Sequence, residues 1–233
     1  MKKRTIAIGL VGLVVLSSFL YFVAIPRVTV TGAGIVTAYP DEADVSFSVR
    51  TQNQSAATAA AENGAIMSTV YASLYAVGVN NSEIKTTSYS LSPTYDSINY
   101  TKVVGYVAVN SVAVIVTGAE NLPKVGSIVD AVVKAGVNEV DGISFTFTDP
   151  NYDKLRLEAY HKAVQDAYAQ ASAIVSGLGG VIIGVASVST NYGYGIIPQP
   201  IVSGGAQKAE LPTPINSGPQ QVTATVNITY LYL

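Results

Sequence analysis

His161 is the only histidine in the chain, and there is no cysteine. Histidine clusters, thiolate metal sites, thiol nucleophiles and disulfides are therefore all excluded. A Ser-His-Asp triad would have to use His161, and no Gly-x-Ser-x-Gly turn accompanies it. His161 is expected to be a solvated position on a long helix. Acidic residues gather in two places. Asp149-Pro150-Asn151-Tyr152-Asp153 has the D-x-N-x-D spacing that opens a calcium loop, but Lys154 stands where such a loop needs Gly. Tyr160 stands where the bidentate Glu belongs. The expected role is a helix start, with Asp149 as the cap and Pro150 at the first helical position, where a missing N–H costs nothing. Asp41, Glu42 and Asp44 form the second group, expected to be a solvated turn, with a weak cation site as the alternative. Neither glycine-rich phosphate-binding motif occurs. No catalytic residue, no metal and no cofactor is expected.

Four N-x-S/T sequons offer attachment points for glycans if the chain is exported: Asn53, Asn80, Asn99 and Asn227. A stretch from Asn191 to Gln220 holds five of the ten prolines and five glycines. Its apolar and aromatic side chains, Tyr192, Tyr194, Ile196 and Ile197 among them, are candidates for a protein interface.

The beginning of the chain carries an address. Lys2, Lys3 and Arg4 precede twenty uncharged residues, Ile6 to Ile25. A helix of that length spans about 30 Å, the hydrocarbon thickness of a bilayer. The positive cluster stays on the cytoplasmic side, so the remainder faces outward. Residues 1–27 are thus read as a signal anchor or a cleaved signal peptide, with membrane contact through residues 6–25. Residues 28–233 are read as one exported domain. Charged residues make up only 12% of the chain and hydrophobic ones 49%, which suits a real core and argues against disorder. Formal net charge is −2, and three of the thirteen basic residues lie before the apolar run. The exported part is more acidic still, so nucleic acid is not an expected partner.

Periodicity sets out the elements that must position these residues. Val45, Phe47 and Val49 alternate with polar neighbours, as do Ile143, Phe145 and Phe147, and Val222 through Tyr232. Gly32 and Gly34 within the strand-like run before Tyr39 suggest a bulge or a close backbone approach. Ala56–Val77, a short segment from Leu122 to Val133, and about Pro150–Leu178 have helical spacing. The stripe of the last is read as Leu157, Tyr160, Val164, Ala167, Tyr168, Ala171, Ile174 and Val175. Ile84–Tyr95 and Val103–Thr117 read as a hairpin, with a bulge expected at Asn110-Ser111. The order β-β-α-β-β-α-β-α-β-β predicts an α+β fold with a mixed, mainly antiparallel sheet and packed helices.

Several of these stretches together resemble the SIMPL domain. They are Val30-Thr31-Gly32-Ala33-Gly34, Pro40-Asp41-Glu42-Ala43, Leu91-Ser92-Pro93-Thr94-Tyr95, and Gly105-Tyr106 with Asn110 and Val114. Gly142-Ile143-Ser144-Phe145 and Ala163-Val164-Gln165-Asp166-Ala167 complete the match. The resemblance implies an exported α+β domain of the kind found in periplasmic proteins linked to oxidative-stress defence and in a periplasmic immunogenic protein. It implies ring-like oligomers in at least one member, and no established reaction. The long Gly/Pro stretch and the Tyr-rich, low-charge composition depart from the family pattern.

The expected function is a non-enzymatic cell-envelope module that self-associates or binds an envelope protein. A filament or surface-layer subunit is the alternative, with the strand Val222–Leu233 pairing to a neighbouring chain. An enzyme with an unrecognised carboxylate or tyrosine site is the third reading.

Overall fold

The computed structural model describes residues 25–191, 196–198 and 213–233. Residues 6–24 of the expected membrane segment, and Tyr192 and Tyr194, lie outside them. Among the described residues no helix is long and apolar enough to cross a membrane. Elements follow in the order β1 (Arg27–Ala38), β2 (Glu42–Asn53), α1 (Ala56–Ala76), β3 (Ile84–Tyr95), β4 (Val103–Thr117), α2 (Val125–Lys134), β5 (Glu139–Thr146) and α3 (Asp149–Gly177). Then come β6 (Ile182–Asn191), β7 (Ile196–Pro198) and β8 (Gln220–Tyr232). The α+β expectation holds, and so does the element order but for the added β7; two sheets replace the one sheet expected. Two compact units are formed: one from residues up to Thr37, Asp153–Ile197 and Gln221–Leu233, the other from Ala38–Tyr152 and Pro198–Gln220.

The second unit is built on a sheet of order β3-β4-β2-β5, antiparallel at each pairing. Alternation puts Ala43, Val45, Phe47 and Val49 of β2 on one face, all fully buried. Val70 and Leu74 of α1 and Val125, Ile128 and Val132 of α2 pack on them. Ser55 caps α1 by accepting from the Thr58 amide, and Gly78, at φ 85°, ends it. Phe145 faces inward and packs against this core with Ile143. The expected bulge in β4 is not there. β4 pairs with β2 without interruption, and against β3 the register shifts between Thr86 and Ser88, with the extra residue on β3, and again between Thr94 and Tyr95, far from Asn110-Ser111. The change of apolar phase along β4 has another cause: Val112, Val114 and Val116 share the helix-covered face with Phe47, whereas Val107 and Val109 point to the other face.

The first unit is built on a sheet of order β1-β8-β6, with β7 also pairing β8. The C-terminal strand is therefore internal, antiparallel to β6 over most of its length. Among the described residues both its edges are paired, so the pairing with a neighbouring chain that the filament reading gave to Val222–Leu233 is not open to it. Val222, Val226, Ile228 and Tyr230 are buried on one face of β8. The α3 stripe agrees with expectation at Ala167, Ala171 and Val175 and differs elsewhere. Its buried positions are Leu155, Ala159, Ala163, Ala167, Ala171 and Val175, while Leu157, Val164, Tyr168 and Ile174 are exposed. The reason is steric. A Cβ on Gly32 would overlap the Ala163 carbonyl oxygen, and one on Gly34 that of Ala159. Strand and helix backbones approach so closely that only glycine facing alanine fits. The expected close approach is thus present, with no bulge needed. The stretch Asn191–Gln220 is not wholly a loop either. It contains β7, and Thr213 bonds to Asp130 through both its amide (3.2 Å) and its hydroxyl (2.6 Å).

Candidate functional site

The acidic group at the start of β2 is a structural tie. The Asp41 carboxylate accepts from the Thr148 amide and from its hydroxyl, both at 2.8 Å. The Asp41 backbone donates to the Thr146 carbonyl and accepts from the Gly118 amide. One residue thus joins the turn before β2, the end of β4 and the β5–α3 junction. Glu42 has no such donors. Burial, then the charges of Asp41, Asp149 and Asp44, push its carboxyl above its ordinary value of 4.5. Among the described residues no group of three or more His, Asp or Glu is arranged to hold a metal ion. Asp149 does not precede the helix as the expected cap but lies within it. α3 begins at Asp149 itself, so Thr148 precedes it, and Asp149 is an acid in the first turn, where the helix dipole favours it. His161 is exposed on α3, as expected.

The sequons fall in different settings. Asn99 is exposed at the β3–β4 connection and its Oδ1 accepts from the Thr101 hydroxyl at 2.7 Å. Asn80 is exposed and closes a capping box with Glu83. Asn53, at the end of β2, donates to Glu62 at 3.2 Å. Asn227 lies mid-strand in β8 and accepts from the Thr31 hydroxyl. Of the interface candidates, Ile196 and Ile197 fall in β7.

Sequence reasoning missed two arrangements. Asn63, fully buried in α1, donates to the carbonyls of Val49 (2.8 Å) and Ala108 (3.4 Å), tying the helix to β2 and β4. Its signal was its place in the buried series Ala59, Asn63, Met67, one helical turn apart. The second arrangement seals the free edge of β1. Lys162 donates to the Ile35 carbonyl at 3.3 Å, Asp166 accepts from the Ala33 amide at 2.9 Å, and Gln170 donates to the Thr31 carbonyl at 3.2 Å. Three side chains four residues apart on α3 meet three backbone groups two residues apart on β1. The helix does there what a neighbouring strand would do. The Ala33 amide, followed by Gln170, holds the Asp166 carboxyl below its usual range. The opposite edge of the sheet is different. Among the described residues β6 pairs only with β8, and Ile183, Val185 and Val188 are about half exposed. Tyr89, Leu91, Ile98 and Tyr100 of the β3–β4 hairpin are exposed as well.

The chain is 28% identical over 218 residues to a 26 kDa periplasmic immunogenic protein of Brucella melitensis, an alignment covering 88% of this chain and 84% of the relative. It is 27% identical to the protein YggE of Edwardsiella ictaluri, with 66% of this chain and 63% of the relative aligned. For YggE of Escherichia coli K12 the identity is 28%, over 65% of this chain and 60% of the relative. The family model described as SIMPL, a protein of unknown function, matches residues 28–230. The residues that pack β1 against α3, tie down Asp41 and seal the sheet edge all lie inside that span, and the chain belongs to the SIMPL family.

Proposed function

We propose that this protein is an extracytoplasmic module of the cell envelope, held at the membrane by residues 6–25, that works through protein contacts and first of all through contact with a second copy of itself. It carries out no reaction of its own. The observation behind this reading is the contrast between the two edges of the β1-β8-β6 sheet. On one, Lys162, Asp166 and Gln170 occupy the backbone groups of β1. On the other, β6 has no strand beyond it among the described residues and carries exposed Ile183, Val185 and Val188. An open, apolar strand edge is a template for pairing, and proteins that do not use one usually blunt it with charge or proline. β6 contains neither. The periplasmic name of the Brucella relative supports the location. Tyr192, Tyr194, Ile196 and Ile197, which follow β6 directly, would extend the same contact.

The test is the mass of the full chain in solution, by light scattering at micromolar concentration, for the parent and for Val185→Lys and Val188→Lys. The parent is expected to be oligomeric and both variants to shift towards monomer, with unchanged thermal midpoints. A monomeric parent rules out self-association. An oligomeric parent with equally oligomeric variants rules out β6 as the contact.

A further inference from the structure

The sheet of the second unit has one face covered by α1 and α2 and another that carries an open hollow. Arg50 follows Val49 on β2 and so points to the face opposite the buried Val45, Phe47 and Val49. Its backbone is fixed: the Asn138 side chain accepts from the Arg50 amide at 3.0 Å and donates to the Arg50 carbonyl at 2.7 Å. Across the strands the register runs Arg50–Val109–Ser90, and beside it Gln52–Val107–Ser92. Arg50, Val107, Val109, Ser90, Ser92 and Thr94 line an open hollow of about 380 Å³, with Tyr95 at its wall. Such a volume suits a small molecule.

The chemistry of this lining is one-sided. It holds one cation and no carboxylate. Arg50 makes no ion pair among the described residues, where the ion pairs are Arg156–Asp153 and Lys162–Glu158. The lining adds the hydroxyls of Ser90, Ser92, Thr94 and Tyr95, each able to donate to an oxygen. Val107 and Val109 form an apolar floor. A planar guanidinium matches a planar carboxylate with two parallel hydrogen bonds. A single positive charge balances one negative charge, whereas phosphate sites typically gather several cations or a helix N-terminus.

We propose that this hollow binds a small carboxylate-bearing molecule, with Arg50 clasping the carboxylate, the Ser90, Ser92 and Thr94 hydroxyls orienting it, and its body lying on Val107 and Val109. The carboxylate of an acidic sugar and the free C-terminus of a short peptide share this chemistry. The site belongs to the face of the sheet away from the helices and does not depend on self-association through β6.

Titration calorimetry of the full chain with glucuronate, N-acetylalanine, inorganic phosphate and uncharged glucose distinguishes the sources. Saturable binding of glucuronate or N-acetylalanine, absent for glucose and weaker for phosphate, is the expected result. Whichever carboxylate binds tighter names the class. Arg50→Gln is expected to weaken that binding at least tenfold, Arg50→Lys to weaken it less, and Ser92→Ala by a few-fold. Arg50 is exposed, so the substitution leaves the core intact, and an unchanged thermal midpoint verifies this. Failure of both carboxylates to bind, tighter binding of phosphate, or full binding by Arg50→Gln overturns the proposal.

Discussion

Asp41 and Glu42 are adjacent carboxylates with opposite situations. Asp41 accepts two bonds from Thr148, while Glu42 is half-buried among like charges, and its carboxyl is raised above 4.5 by burial first and by Asp41, Asp149 and Asp44 next. A carboxyl with a raised folded-state pKa binds its proton more tightly folded than unfolded. The stability it contributes is complete below 4.5 and is lost as pH rises through the higher folded value. Glu42→Gln removes that loss. Its thermal midpoint should exceed the parent's at about pH 7, with the difference shrinking to nothing as pH falls below the ordinary carboxylate range. Equal midpoints at neutral pH would show that Glu42 is not strained. The residue scale was only partly legible in the sequence. Their spacing put Asp41, Glu42 and Asp44 in one turn, but only Asp41 lies there, and Glu42 and Asp44 belong to β2. That Thr148, 107 residues away, would supply donors to Asp41 did not follow from spacing, because a side chain's distant partner is set by the fold and not by its neighbours.

Among the elements, α3 shows how a correct helix can be given a stripe that is only partly right. Ala167, Ala171 and Val175 are buried as their spacing indicated, but the large residues Leu157, Val164, Tyr168 and Ile174, favoured because burial of large side chains is usually worth more, are exposed. Ala159 and Ala163 are buried in their place, since β1 presents Gly32 and Gly34 to them. Small residues win where backbones meet, gaining close packing over a long contact in place of side-chain area. The matching clue was on the page, two glycines at strand spacing and four alanines at helical spacing, but each is weak alone. The close approach predicts that Gly34→Ala destabilises the protein by about 3 kcal/mol or more, because backbone must move to admit one methyl group. Chemical denaturation measures it. A loss below about 1 kcal/mol would mean that β1 and α3 stand further apart. β4 carries the same lesson on a sheet. An apolar phase change read as a bulge is two faces used in succession, and only the register of β2 against β4 distinguishes the two.

For the whole molecule, the strand and helix order was legible because most of its segments keep a period of two or 3.6. The short β7 was not, since three residues carry no period. The topology of export rests on Lys2, Lys3, Arg4 and the uncharged run after them. Protease added to cells whose outer envelope has been opened, with the cytoplasmic membrane intact, is expected to digest residues 28–233 while sparing a tag placed before Lys2. Protection of the whole chain would place the domain inside. One last consequence follows from the edge of β1 closed by Lys162, Asp166 and Gln170. In the language of polymer chemistry, this sheet is, among the described residues, a monomer with one reactive end. When two such ends join at β6, both remaining ends are already terminated. Edge-on growth through this sheet therefore stops at two copies, and a chain reaction of strands, the route to fibres, has no propagating step.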